Sequence, residues 1–295
     1  MNEFKTYHPI VNFAYFMLVI IFSMFLMHPV CLGVSFVSAF VYSVILKGKK
    51  AIKTNLLYML PLIIFTAAVN SLFNHAGMTI LAYLPSGNPL TMESIVYGLS
   101  ASVMIVSVIA WFSCYNEIMT SDKFIYLFGR VIPSLSLILS MTLRFVPRFS
   151  AHLRKVTAAQ KCIGRDISEG NIIKRAKNAL AILSIMVTWS LESAIETADS
   201  MKSRGYGLGK RTAFSNYTFD KRDSRVLCII LALGIYITVG AVLGQLEFWY
   251  FPALGASGVS LYSISIFCAY FMLCICPVVI EWWEVRRWAA MKSKI

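Results

Sequence analysis

RFVPRFSAHLRKVTAAQKCIGRDISEGNIIKRAK, Arg144–Lys177, is the stretch that decides how this chain is built. It carries Arg144, Arg148, Arg154, Lys155, Lys161, Arg165, Lys174, Arg175 and Lys177, and apolar runs flank it at 131–143 and 178–191. If both runs crossed a bilayer, this basic segment would face outward, against the rule that Lys and Arg stay on the cytoplasmic side. Each run also falls short of the ~20 residues that a spanning helix needs. Residues 116–225 therefore read as a large helical cytoplasmic insertion, lying partly in the membrane interface.

The rest of the chain supplies the membrane part. With 58% hydrophobic residues and only 14% charged ones among 295, the composition is too apolar for an ordinary soluble domain. Six spans are expected, near Ile10–Met27, Cys31–Leu46, Asn55–Phe73, Ser94–Tyr115, Val226–Leu246 and Val259–Ile280. Lys47, Lys49, Lys50 and Lys53 place the loop after the second span inside. Asn74–Glu93 and Glu247–Gly258 contain no Lys or Arg and belong outside, and Arg286, Arg287, Lys292 and Lys294 return the C-terminus inside. The expected fold is all-α and polytopic, with both termini cytoplasmic in a cell membrane. A four-span N-terminal part covers 1–115, the cytoplasmic helices 116–225, and two C-terminal spans 226–295. The net charge of +13 sits at cytoplasmic ends, which points to topology and anionic lipid rather than nucleic acid.

Within the insertion three helices are expected. Ser121-Asp122 caps a first, Lys123–Ile132, which stops near Pro133. A second runs from about Ser134 to Ile163, bent at Pro147 and ended by Gly164. The third runs from about Asn171 to Arg204 and would be ~50 Å long if continuous. Glu192, Glu196, Asp199 and Ser203 share one face of it, Gly205 and Gly207 stop it, and Arg204 sits in its last turn where a cation complements the dipole.

Little here suggests catalysis. Gly205–Thr212 imitates a phosphate-binding loop, but three residues rather than four separate Gly205 from Gly209, and Arg211 separates Lys210 from Thr212. Glu192, Glu196 and Asp199 have no histidine beside them, so they read as a solvated or partner-facing surface. Cys31, Cys114, Cys228, Cys268, Cys274 and Cys276 behave as small hydrophobes, and His8, His28, His75 and His152 are scattered, so no metal centre is expected. No ionisable residue lies deep within a span, which disfavours a secondary carrier. Gly240 and Gly244 read as a helix-packing motif, and Asn70, Asn74 and His75 as interfacial polar residues.

Three ordered motifs carry a resemblance: Thr142-Leu143-Arg144-Phe145-Val146-Pro147, then Ala159-Gln160-Lys161 leading to Gly164, then Ala198–Gly207. The chain resembles the transmembrane T component of energy-coupling factor (ECF) ABC transporters, the family that includes the cobalt-type permease. That resemblance implies a non-catalytic subunit with no cofactor of its own. Two partner ABC ATPases would bind the ATP, and a small membrane-embedded S component would capture a vitamin or metal ion and set specificity. Family members carry two Ala-Arg-Gly motifs at coupling-helix ends whose arginines dock into the ATPases. By position the second falls on Ser203-Arg204-Gly205 and the first on Cys162-Ile163-Gly164, with isoleucine where the arginine is expected. Lys161 or Arg165 could supply that charge, or the contact could be apolar. Movement would pass to the S component through apolar faces that include Ile182, Ile185, Met186 and Trp189. The competing reading is a membrane enzyme acting on lipid head groups through Glu192, Glu196 and Asp199.

Overall fold

A computed structural model describes residues 3–83, 88–129, 132–208, 217–256, 258 and 260–292. The helices are α1 (Pro9–Phe25), α2 (Pro29–Lys47), α3 (Lys49–Phe73), α4 (Met92–Ile118), α5 (Ser121–Gly129), α6 (Pro133–Cys162), α7 (Ile172–Ser203), α8 (Lys221–Val242) and α9 (Leu261–Lys292). Two small antiparallel hairpins join helix ends, β1–β2 (Ile80–Tyr83 with Pro89–Thr91) and β3–β4 (Phe248–Trp249 with Gly255–Ala256). The chain is an all-α polytopic membrane protein.

Among the described residues six helices are long and apolar enough to cross a bilayer: α2, α3, α4, α7, α8 and α9 up to Arg286. The expected number agrees but the membership differs. At 17 residues α1 is the shorter apolar helix, whereas α7 meets the measure through its apolar middle. The start of α1 is fixed by His8-Pro9, and the same device opens α2 at His28-Pro29. In each, the imidazole Nδ1 accepts the N–H two residues on, at 3.3 Å, and proline takes the first helical position, where no N–H is needed. These two histidines are helix caps.

The chain divides into two compact units, Met1–Phe124 with Tyr217–Ile295, and Ile125–Asn216. The second is narrower than the 116–225 read from sequence, because both margins are tied to the N-terminus. Lys123 donates to the Lys5 carbonyl, and Asp223 accepts the His8 backbone N–H at 3.4 Å. Helix α9 likewise runs beyond Ile280. Arg222 meets Glu284 at 3.4 Å and lies over the Tyr7 ring at 4.2 Å.

The first unit has one apolar core, with Tyr15, Phe16, Tyr42, Trp111 and Tyr270 all buried. The polar atoms of Tyr15, Trp111 and Tyr270 are joined across helices, as a bilayer interior requires, while the Tyr42 hydroxyl has no hydrogen-bond partner among the described residues. Trp111 Nε1 donates to Ser35 Oγ at 3.0 Å, Ser35 and Ser23 hydroxyls meet at 2.6 Å, and Tyr15 OH donates to the Cys274 carbonyl at 3.1 Å. Gly240 and Gly244 turn out to do different things. A side chain at Gly240 would collide with Ile266 of α9, so the glycine admits close packing, whereas Gly244, at φ +72°, closes the end of α8.

At the C-terminal end of α3 the polar residues fold the loop. Asn74 Oδ1 accepts the Ala76 N–H at 3.2 Å, His75 Nε2 meets Asn88 Nδ2 at 3.1 Å, and Glu93 takes the Thr79 hydroxyl at 2.6 Å. Neither hairpin is legible from the residues alone, because strands of two to four residues carry no measurable period.

Candidate functional site

Helices α6 and α7 form an antiparallel pair joined by the short connector 163–171. At 30 and 32 residues they are roughly 45 and 48 Å long. Their contact is organised by one side chain. Trp189, near the middle of α7, receives Phe145, Phe149 and His152 from the middle of α6, at centroid distances of 5.7, 6.4 and 4.0 Å. Arg148 lies over the same indole at 5.8 Å. These four residues recur at intervals of three and four, so α6 offers one continuous face to the indole. That spacing is visible in the sequence, but its target is not. Of the apolar face read from sequence, Ile182 and Met186 are buried, whereas Ile185 is exposed and Trp189 half-buried. The open apolar stripe of α7 is Leu180, Leu183, Val187, Leu191 and Ile195, between 50% and 64% exposed.

Both helices end in the same closure. In α6 the last helical residue is Cys162, Ile163 is the C-cap, and Gly164 follows at φ +77°. Gly164 N–H donates to the Lys161 carbonyl at 3.0 Å and Arg165 N–H to the Gln160 carbonyl at 2.9 Å. In α7 the last residue is Ser203, Arg204 is the C-cap, and Gly205 follows at φ +78°. Gly205 N–H donates to the Lys202 carbonyl at 2.9 Å and Tyr206 N–H to the Met201 carbonyl at 3.0 Å. Each is a Schellman closure, which consumes two carbonyls otherwise left open and requires a left-handed residue after the cap. Ile163 and Arg204 are thus equivalent positions in backbone terms. The closure itself is not specific, since α8 ends the same way through Gly244. At the α6 and α7 ends Ile163, Arg165, Arg204 and Tyr206 are all exposed. The α8 cap Leu243 is exposed too, so what sets the α6 and α7 ends apart is that they belong to one packed helix pair.

The two ends are held apart. Asp166, three residues past Ile163, has its carbonyl bonded to Asn178 Nδ2 at 2.9 Å, so the α6 end is tied to the start of α7. Arg204 lies a further roughly 40 Å along the α7 axis at 1.5 Å per residue. The connector is rigidified around Asp166. Its carboxylate takes the backbone N–H and hydroxyl of Ser168 at 2.9 and 2.8 Å, and Lys161 Nζ lies at 3.0 Å. The Ser168 bonds, with Lys161 beside them, hold the Asp166 carboxyl down at about 2. Arg175 Nε adds a bond to the Ile167 carbonyl at 2.8 Å.

No constellation for catalysis emerges at these ends. Glu192, Glu196 and Asp199 are exposed on α7. Among the described residues no group of three His, Cys, Asp or Glu side chains is placed to hold a metal ion. Gly205 and Gly207 both have positive φ, in a turn that follows a helix rather than a strand. The remainder of the loop-like stretch, 209–212, lies outside the described residues, as do 130–131 of the expected first amphipathic helix.

A profile of the cobalt transport protein (CbiQ) family matches residues 6–214, which contain both helix ends. The chain belongs to the cobalt transport protein family. Curated relatives are energy-coupling factor transporter transmembrane proteins (EcfT). The one from Staphylococcus aureus (strain 04-02981) is 27% identical over 188 residues, 60% of this chain and 69% of that protein. The one from Lactobacillus helveticus (strain DPC 4571) is 36% identical over 108 residues, 36% of this chain and 39% of that protein. The one from Acidaminococcus fermentans is 30% identical over 159 residues, 50% of this chain and 59% of that protein. For the latter two, the shared segment is less than two-thirds of the relative's own length. The family match ends before α8 and α9 begin, so it covers helices α1 to α7.

Proposed function

We propose that this chain is the membrane coupling subunit of an ECF-type ABC importer in the cell membrane. It hydrolyses nothing itself. Two ABC ATPases engage the ends of α6 and α7 on the cytoplasmic side, and a small membrane-embedded S component brings the vitamin or transition-metal substrate. The observation that carries this reading is the pair of equivalent, exposed closures at the two ends of one braced helix pair, inside the family match. Names of the relatives support the same assignment.

The physical case rests on stiffness and separation. Two helices clamped at Trp189 move as one body, so displacement at Arg204 is delivered along α7 rather than absorbed. The Arg204 guanidinium offers a rigid fork to a carboxylate, and Gly205 behind it leaves room for a partner backbone. The open stripe Leu180–Ile195 is the surface this reading gives to the S component, because a face with that much exposed apolar area needs lipid or protein cover. With both termini cytoplasmic, the basic residues of Arg144–Lys177 stay on the inner side as the charge rule requires.

The test is co-expression with both ATPases and the S component. Arg204→Glu is expected to lower ATPase copurification by roughly tenfold or more, a change of about 1.4 kcal/mol, and to abolish uptake. Undiminished copurification and uptake would remove the docking role.

A further inference from the structure

The equivalence of Ile163 and Arg204 has a chemical consequence. Resting on the coupling reading above, we propose that the two helix ends recognise chemically different ATPase surfaces. Arg204 takes a groove bearing a carboxylate, while the α6 end seats Ile163 in an apolar groove with no acidic anchor. Each end then engages its ATPase through its own chemistry.

Three observations support this. First, the two closing bonds that follow Ile163 match the two that follow Arg204, so its side chain leaves the helix from the equivalent cap position with no charge to offer. Ile163 is 64% exposed, and Ile172 and Ile173, just across the connector, are both 78% exposed. Three β-branched side chains held in water on a rigid turn present apolar area that nothing else in the unit covers. Second, the nearby cations that could replace an arginine are already engaged. Lys161 pairs with Asp166 at 3.0 Å, and Arg175 donates to the Ile167 carbonyl at 2.8 Å. Third, Arg165, the cation next to the cap in sequence on its far side, occupies the position that Tyr206 holds in the other closure, one residue beyond the glycine. It therefore leaves the turn on the far side of Gly164 and is displaced from the site that Arg204 marks.

Basic residues around exposed isoleucines would also suit an anionic membrane surface. The ATPase is favoured because the equivalence is with an end that carries its own fork for a protein carboxylate. Lys161 and Arg175 also make contacts within the turn.

The test uses the full complex and measures how much of each ATPase is retained, by native mass spectrometry. Ile163→Asp is expected to lower retention of one ATPase by roughly tenfold while leaving the other at its normal level. Ile163→Leu and Arg165→Ala are expected to retain both. Because Ile163 is an exposed cap, the thermal midpoint of Ile163→Asp should match that of the unmodified complex. Loss of an ATPase in Arg165→Ala, or full retention in Ile163→Asp, would overturn the inference. So would Ile163→Asp abolishing flotation of the isolated subunit with phosphatidylglycerol vesicles while sparing both ATPases. If Arg204→Glu loses an ATPase and Ile163→Asp does not, only this inference fails. If neither variant does, the coupling reading fails with it.

Discussion

The imidazole of His152 lies flat on the indole of Trp189, with ring centroids 4.0 Å apart and planes within 11°. This contact, extended by Phe145 and Phe149, is the clamp between the two long helices of the second unit. Trp189→Ala is expected to destabilise that unit by roughly 2–3 kcal/mol, from lost ring burial and stacking. The sharper outcome is functional. Both ATPases should remain bound while ATP hydrolysis no longer drives uptake, because α6 and α7 would then move separately. Hydrolysis and transport measured in the same proteoliposomes check this.

Gly205 follows the Arg204 cap at φ +78°, a region that costs an L-residue roughly 1–2 kcal/mol. There is space for a methyl group, since the nearest atom to a Cβ would be Leu208 Cδ1 at 3.5 Å. Gly205→Val should fray the last turn of α7 and misplace Arg204, lowering ATPase retention without changing Arg204 itself. Amide exchange at Tyr206, whose N–H closes the turn, should rise in the same variant.

Gly240 lets α8 approach α9 at Ile266. Gly240→Val should destabilise the membrane unit by about 1–3 kcal/mol through overpacking. Pairing it with Ile266→Ala should recover part of the loss. Thermal unfolding in detergent of the single and double variants is the measurement.

Lys123 is buried with its ammonium against the Lys5 carbonyl. With the Asn12 amide turned so that its oxygen faces Lys123, that oxygen accepts at 2.8 Å. Burial, with Lys5 nearby, lowers its pKa from 10.5 to about 8. Between those values the unfolded chain binds more protons than the folded one, so stability should rise as pH increases from 8 to 10.5. Below about 8 both states are protonated and this contribution is flat. Lys123→Met should remove the rise, as followed by unfolding midpoints across that range.

Much of the architecture was legible from composition and charge placement. Long apolar runs have one stable solution in a bilayer, which is why the helical class and the number of apolar helices could be read from composition. The ends of α6 and α7 were legible because glycine after a helical run is required by a left-handed closure. The exchange of α1 for α7 in the count of apolar helices was not, since α7 has an apolar middle between charged flanks. Hydropathy weighs that middle without its context.

Local sequence sets the helical class and the two helix stops. These follow from local sterics and from the cost of burying charge, which act on neighbouring residues. Tertiary structure alone decided that Ile182 and Met186 are buried and Leu180–Ile195 open. It also decided that Trp189 clamps α6, and that Lys161 is spent on Asp166 while Arg204 stays exposed. The physical reason is that a periodic pattern gives a helix a face but not a neighbour. Which face is covered, and which charge is already paired, depends on contacts between residues far apart in the chain.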